Sequence, residues 1–221
     1  MISPKYYTHY YYAFKQLSAK SAADAPHVIN LYLDYTCPFS AKLFGKLYNS
    51  VIPKLHEKHP NKFQFVFVNV IQPWHPNATL AFEFALVAAG LLAEKTPEEA
   101  NKTYWALSST LFKNALQFQD SYNVDLNRNE IYEQLYEIVA KELELPFSKS
   151  EILDKLQIKP NKVDVTNAGN GATAAGKYFT KYLRGVGVHV TPTVSVDGIV
   201  DNSVSSGSEI DELVKVFEAH L

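Results

Sequence analysis

The chain of 221 residues is 47% hydrophobic and 20% charged, which suits a folded domain with a sizeable core and excludes a wholly disordered protein. Its formal net charge is -2, with 21 Lys and Arg against 23 Asp and Glu, so it lacks the basic footprint of a nucleic-acid binder. The longest apolar runs are shorter than the roughly 20 residues that span a bilayer, and a single cysteine, Cys37, excludes an intrachain disulfide. We expect a globular, intracellular protein of the cytoplasm, without nucleic-acid or membrane partners.

The first 26 residues are rich in tyrosine and contain no acidic residue before Asp24. A mitochondrial leader is also poor in acidic residues, but it is usually rich in arginine, which this segment lacks. We interpret residues 1–26 as an arm that packs its tyrosines on the domain, with mitochondrial targeting as the less favoured alternative. The tyrosines are Tyr6, Tyr7, Tyr10, Tyr11 and Tyr12.

The next part of the chain predicts a strand, a helix and a second strand. Residues 27–35 (HVINLYLDY) form a short apolar run typical of a buried strand. Apolar residues at helical spacing follow from residue 38, although Pro53 should kink or end that helix. Residues 63–71 (FQFVFVNVI) predict the second strand, and residues 72–76 (QPWHP) predict a rigid, extended turn.

Residues 78–185 are predicted to be mostly helical. Thr96 has the pattern of an N-cap followed by proline at the first helical position, and Ser148 begins a capping box. Before the last helix of this region, residues 167–171 (NAGNG) are a turn signal. They could form an anion-holding nest, but we favour a plain N-cap at Asn170.

Strand signals return after this helical region. Residues 188–196 (VHVTPTVSV) lead through Asp197 and Gly198 to a short second strand, a pattern that predicts a hairpin. Residues 209–220 have the periodicity of an amphipathic helix. We therefore predict one α/β domain with a helical insertion.

Cys37 is the first candidate for chemistry because it lies where a strand ends and a helix begins. Pro38 suits the first helical position, so the sulfur should face the unpaired N–H groups and the positive end of the helix dipole, which stabilise a thiolate. Ser40 could direct its hydroxyl back and donate a hydrogen bond to that thiolate. The alternative, a small buried apolar side chain, is a common role of free cysteine; we favour the functional interpretation.

His75 is the best candidate partner of Cys37. The strand before it should lie beside the strand before Cys37, and sites in open α/β sheets form at the carboxyl ends of the strands. His75 could act as a base or stabilise the thiolate, or it could merely anchor the loop with Trp74. Asp34 could tune the cysteine, or it could equally cap the strand end or face solvent. His56 and His59 are one residue short of the zinc-protease spacing, and we predict no metal site.

Two distant motifs and the insertion between them resemble the thioredoxin fold, and more closely its DsbA-like branch. The motifs are residues 34–40 (DYTCPFS) and residues 187–193 (GVHVTPT). The resemblance implies a thioredoxin-like core of residues 27–77 and 186–221, with residues 78–185 as a helical insertion between the second core strand and the cis-proline hairpin. Residues 72–76, 167–170 and 205–207 also resemble elements of a set of fungal thioredoxin-like proteins, a likeness that implies no activity.

By position, Cys37 matches the attacking cysteine of the DsbA-like proteins, and Thr191 and Pro192 match their cis-proline pair. The resemblance implies that the backbone of Thr191 pairs with an extended substrate; the alternative is a proline that only ends a strand ladder. Pro38, Phe39 and Trp74 complete the predicted substrate-binding residues.

Ser40 is the main departure, because it stands where DsbA-like oxidases have their second cysteine. A hydroxyl cannot resolve a mixed disulfide as a thiolate does, so we predict a monothiol oxidoreductase or glutathione-linked redox enzyme that holds no cofactor. Its partner would be glutathione, or a thiol-bearing peptide or small molecule. Two alternatives stay open: a redox-inactive module that binds a peptide or protein, and a transferase or isomerase similar to the kappa-class glutathione transferases. The last predicts an apolar pocket between insertion and sheet, lined by Phe39 and Trp74.

Overall fold

The computed structural model describes residues 2–11 and 25–221. Four strands are present in these ranges: β1 His27–Leu33, β2 Phe63–Asn69, β3 Thr193–Val196 and β4 Ile199–Val200. The α-helices are α1 Pro38–Lys46, α2 Ile52–Lys58, α3 Ala78–Leu92, α4 Pro97–Lys113, α5 Arg128–Ala140, α6 Lys149–Leu156, α7 Thr173–Val186 and α8 Ile210–Glu218. None of the helices in the described ranges is long and apolar enough to cross a bilayer.

The strands form one sheet in the order β2-β1-β3-β4. β1 is parallel to β2 and antiparallel to β3, with Leu31 opposite both Phe67 and Val194. These side chains are buried because the central strand is covered on both faces, which explains its mostly apolar sequence. The predicted strands and hairpin are confirmed, but β3 begins at Thr193 rather than at residue 188, since Pro192 has no N–H to give to a ladder.

The helix after Cys37 passes Pro53 by changing its hydrogen-bonding pattern. α-Helical bonding ends at Lys46, a π turn occupies Leu47–Val51, and α2 then places Pro53 in its first turn. The Ile52 N–H bonds to Leu47 O, one residue further back than in an α-helix, so the missing N–H of Pro53 falls where the bonding pattern changes. Of the two outcomes expected at Pro53, an end to the helix is wrong, since the chain stays helical through this local widening.

The insertion consists of five helices, α3 to α7. The other four pack around α3, which is almost wholly buried. The predicted caps at Thr96 and Ser148 are confirmed, the latter with a complete capping box. The predicted N-cap at Asn170 is wrong, since α7 begins after Ala172. Asn170 instead accepts from the Ala172 N–H at 3.0 Å, and its amide donates across the fold to Leu156 O at 3.2 Å.

The described part of the arm closes the outer edge of the sheet beside β2. A 3₁₀ helix spans Pro4–His9, and Tyr10 then makes an antiparallel bridge to Val66. Tyr10 and Tyr11 are buried, and Asn101 of α4 donates hydrogen bonds to two carbonyls of the arm. The edge strand is thereby covered. Tyr12, the last of the predicted packing tyrosines, lies outside the described residues.

Candidate active site

Cys37 is the N-cap residue of α1, directly after the turn that follows β1. Its N–H donates to Asp34 O at 3.1 Å, and its carbonyl accepts from Ala41 N at 3.0 Å. Only 3% of the residue is exposed. The helix start and Pro38 at the beginning of α1 follow from the local sequence, and together they point the cysteine towards the end of the sheet.

The segment before β3 covers the sulfur. The Sγ of Cys37 lies 3.5 Å from Thr191 O, to which its S–H donates. The Thr191–Pro192 peptide bond is cis. The two motifs found in the sequence, 154 residues apart, thus meet at this contact.

Asp34 joins the loops of the site, because its buried carboxylate accepts four hydrogen bonds. Oδ1 accepts from the N–H and the hydroxyl of Thr36 at 2.7 and 2.6 Å, and Oδ2 accepts from Gln72 N at 2.9 Å and His75 Nδ1 at 3.1 Å. A buried carboxylate is costly unless its oxygens are satisfied in this way. Asp34 is neither a simple cap nor solvated. It joins the cysteine loop, residues 34–37, to the loop after β2, residues 70–77.

His75 reaches the cysteine loop through Asp34 and makes no direct hydrogen bond to the sulfur of Cys37 in the described chain. The bond from Nδ1 to the carboxylate fixes the ring, so that Nε2 is the nitrogen left to accept a proton in the neutral imidazole. The imidazole is partly exposed. The arrangement can therefore accept a proton from a ligand next to the loop.

Ser40 is oriented differently from the expectation. Its buried hydroxyl oxygen accepts from Asp34 N at 3.4 Å, and within the described ranges it has no hydrogen bond to Cys37 Sγ. The reason is that the first turn of α1 lies against the 34–36 turn, whose N–H needs an acceptor. Ser40 therefore supports the loop that carries the cysteine.

Gln72 is a site residue that sequence reasoning missed. Its side-chain amide donates to His189 O at 3.3 Å and to Thr191 Oγ1 at 3.4 Å, so it braces the segment that contacts Cys37. The available signal was its position after β2 and before Pro73, at the carboxyl edge of the sheet.

A buried polar network fastens the cysteine loop to the insertion. The Tyr35 hydroxyl lies 2.9 Å from Ser108 Oγ and 3.4 Å from the Tyr104 hydroxyl, which accepts from Asn69 Nδ2 at 2.8 Å. Burial, and then the neighbouring Tyr104, raise the pKa of Tyr35 well above its ordinary value. Both phenols therefore stay neutral and act as structural hydrogen-bonding groups.

Two large apolar side chains remain exposed near the cysteine, Phe39 and Trp74, each 62% exposed. Phe39 lines a cavity of about 310 Å³ with Pro192, Val200 and Val204. The apolar pocket predicted between insertion and sheet exists as a separate cavity, of about 450 Å³, but neither Phe39 nor Trp74 lines it.

Among residues 2–11 and 25–221, no three His, Cys, Asp or Glu side chains are grouped as metal ligands would be. His56 and His59, the pair weighed in the sequence, have separate surroundings. His59 Nε2 pairs with Glu218 at 2.8 Å, whereas His56 is packed edge-on against Tyr11.

No protein-family model and no curated protein matches the chain. Solved structures do match it. A candidate protein-disulfide isomerase from Pseudomonas syringae is 24% identical with a TM-score of 0.64, over 91% of this chain and 98% of that one. BdbD from Bacillus subtilis is 19% identical with a TM-score of 0.56, over 98% and 94% of the two chains. DsbA from Chlamydia trachomatis is 13% identical with a TM-score of 0.53, over 89% and 88%.

At these identities the similarity concerns the fold, and it extends over most of the chain. The sheet order, the cysteine at the start of α1 and the proline before β3 agree with it. The chain therefore has a thioredoxin-like fold with a helical insertion, the architecture of the DsbA-like proteins.

Proposed function

We propose that the protein is a monothiol thiol–disulfide oxidoreductase in which Cys37 is the nucleophile. The observation that carries the proposal is the place of Cys37 in this fold: it caps α1 and its sulfur contacts the Thr191 carbonyl beside Pro192. A sulfur at a helix N-terminus is favoured as a thiolate by the helix dipole. The structural neighbours include a disulfide bond oxidoreductase and a thiol-disulfide exchange protein, which supports redox chemistry at this position.

In the first step, the Cys37 thiol loses its proton to solvent and the thiolate attacks one sulfur of a disulfide RS–SR′. The new Cys37–SR bond forms as the S–S bond of the substrate breaks, and R′S⁻ leaves and takes up a proton from water. Because Cys37 is buried and hydrogen-bonded to Thr191 O, its sulfur has to leave this contact to meet the substrate. The exposed Phe39 and Trp74 provide apolar surface for the arriving group.

In the second step, an external thiolate resolves the mixed disulfide. Ser40 cannot do so, and the sequence contains no second cysteine. A thiolate such as that of glutathione attacks the R sulfur, forms the new S–S bond and releases Cys37 as the thiolate. His75 supports this step because Asp34 leaves its Nε2 available to take the proton of the incoming thiol.

Intact-mass analysis after incubation with oxidised glutathione tests the proposal. We expect one adduct on the native protein, removed by reduced glutathione and absent from Cys37→Ser. An adduct that forms only after unfolding in urea would contradict the proposal, since it would mean that the native fold withholds the sulfur.

A Ser40→Cys variant provides a second test. A thiol at this position could attack the mixed disulfide on Cys37 itself, so we expect oxidised glutathione to convert this variant to an internal disulfide, read by intact mass, instead of leaving a glutathione adduct on Cys37. Ser206→Cys, which adds a thiol elsewhere in the lining of the Pro192 cavity, is the matched control and should keep the adduct on Cys37. Equal behaviour of the two variants would count against Cys37 as the reacting group.

A second candidate function is a redox-inactive module that binds a peptide. The burial of Cys37 favours it, because a cysteine that is 3% exposed resembles a packed apolar residue. The peptide would lie on Phe39 and in the neighbouring cavity beside Pro192. In that case Cys37→Ala would retain the partners captured by the wild type, whereas the oxidoreductase would lose those held by a mixed disulfide.

A further inference from the structure

A cavity of about 450 Å³ lies between the loop after β2 and the end of α7, where insertion and core meet. Ile71 and Val188 contribute apolar surface from the core side, and Phe82 and Leu183 contribute it from the insertion. A cavity of this size and lining suits part of a small molecule.

The polar groups of this cavity favour an anion. Among the residues that the structure describes, its lining includes Arg184, His189 and Thr180 but no acidic residue. Arg184 is exposed in the last turn of α7, and within the part of the chain that the structure describes its guanidinium has no hydrogen bond or ion pair. The charge suits the C-terminal end of the helix dipole, but its fork of N–H donors has no carboxylate to hold.

A residue that lines the cavity also contacts the segment next to the sulfur. Gln72, which lines it, donates to His189 O at 3.3 Å and to Thr191 Oγ1 at 3.4 Å. The carbonyl of Thr191 accepts from Cys37 Sγ at 3.5 Å. Thr191, which Gln72 contacts from the cavity lining, is therefore also the residue that contacts the sulfur.

We propose that this cavity binds the carboxylate-bearing part of a small thiol or disulfide substrate, with Arg184 pairing with the carboxylate. The apolar walls hold the body of the molecule, and the absence of acidic lining leaves nothing to hold a cationic substrate. The inference rests on the proposed function for the reaction at Cys37, but binding in the cavity can be measured without that reaction.

Charge preference in adduct formation is the first test. The rates at which Cys37 forms adducts with 3,3′-dithiodipropionate, hydroxyethyl disulfide and cystamine are measured by mass, each relative to the urea-unfolded chain. We expect the anionic reagent to be preferred, and Arg184→Gln to lower the ratio of anionic to neutral rates by about fivefold, as befits an ion pair at a partly open site. Lys181→Gln, on the same helix but outside the cavity, should leave the ratio unchanged.

Calorimetry with S-methylglutathione, which has no free thiol, is the second test and uses the Cys37→Ser background. Arg184→Gln should raise Kd by about fivefold, and Arg184→Lys should recover part of the affinity. Failure to bind, or equal affinity with and without Arg184, would overturn the inference. If instead Cys37 reacts with none of the disulfides while binding depends on Arg184, the proposed function fails and the binding site stands.

Discussion

The cysteine loop and the N-terminal arm both bury a titratable side chain, but the two side chains differ in their hydrogen-bond partners. Asp34 is buried with both carboxylate oxygens satisfied by N–H and O–H donors from three residues, Thr36 of the cysteine loop and Gln72 and His75 of the loop after β2. His9 is buried among aromatic rings, 4.5 Å from the ring centre of Tyr104 and 5.0 Å from that of Phe179. Its Nε2 has no partner in the described residues.

Asp34 is a carboxylate whose hydrogen bonds hold the loops of the site together, whereas His9 is a base that stays neutral because it is buried. Removing Asp34 leaves several donors without an acceptor, so the free energy of unfolding should fall at any pH near neutrality. Burial lowers the pKa of His9 to about 3, partly opposed by a hydrogen bond to the Tyr6 backbone. The burial of His9 therefore lowers the free energy of unfolding only as the pH falls. The two regions should therefore respond to different experiments.

Asp34→Ala should give the largest effect. Four donors lose their acceptor in a buried region, so we expect the free energy of unfolding to fall by about 3 kcal/mol. Urea denaturation at pH 7 measures it. Asp211→Asn, which removes an exposed ion pair to Lys54, is the control and should change little. A similar loss in both variants would mean that Asp34 organises nothing.

The pH dependence of stability should reveal His9 next. Its folded-state pKa of about 3 lies below the ordinary value of about 6.5, so the unfolded state takes up the proton first as the pH falls. The stability is complete above about pH 6.5 and is lost progressively towards pH 3; at pH 5 the loss from this group is about 2 kcal/mol. Urea unfolding at pH 7 and pH 5 measures it.

His9→Phe keeps an aromatic ring at this position and removes the titration, so the fall between pH 7 and pH 5 should shrink by that amount. His220→Gln, at the exposed pair with Asp201, serves as the matched histidine control. An unchanged pH profile in His9→Phe would show that His9 is solvated in solution, and the contrast between the two regions would disappear.

Tyr35→Phe should give the smallest effect and sharpens the comparison within the cysteine loop. It removes one neutral hydroxyl with partners at 2.9 and 3.4 Å, so we expect a loss of about 1 kcal/mol. Tyr122→Phe, at an exposed position, is the control for urea denaturation. A loss as large as that of Asp34→Ala would mean that the link to the insertion, and not the carboxylate, holds this loop.

Much of the fold was predictable because its signals are local. The runs at 27–33 and 63–69 are mostly apolar, and a strand covered on both faces favours that composition. The caps at Thr96 and Ser148 depend on side chains within three residues. Asn170 failed as a predicted cap because α7 begins only at Thr173, and its side-chain oxygen accepts from the Ala172 N–H ahead of that start.

The sequence by itself determined the order of strands and helices, the position of Cys37 at the start of a helix and the absence of a second thiol. Tertiary structure decided what surrounds the sulfur: the contact with Thr191, the brace from Gln72 and the union of Asp34 with His75. The physical reason is the separation along the chain between the residues that interact. Helix starts and buried strands are set within a few residues, whereas these contacts join residues 41 to 154 positions apart and exist only once the loops meet at one edge of the sheet.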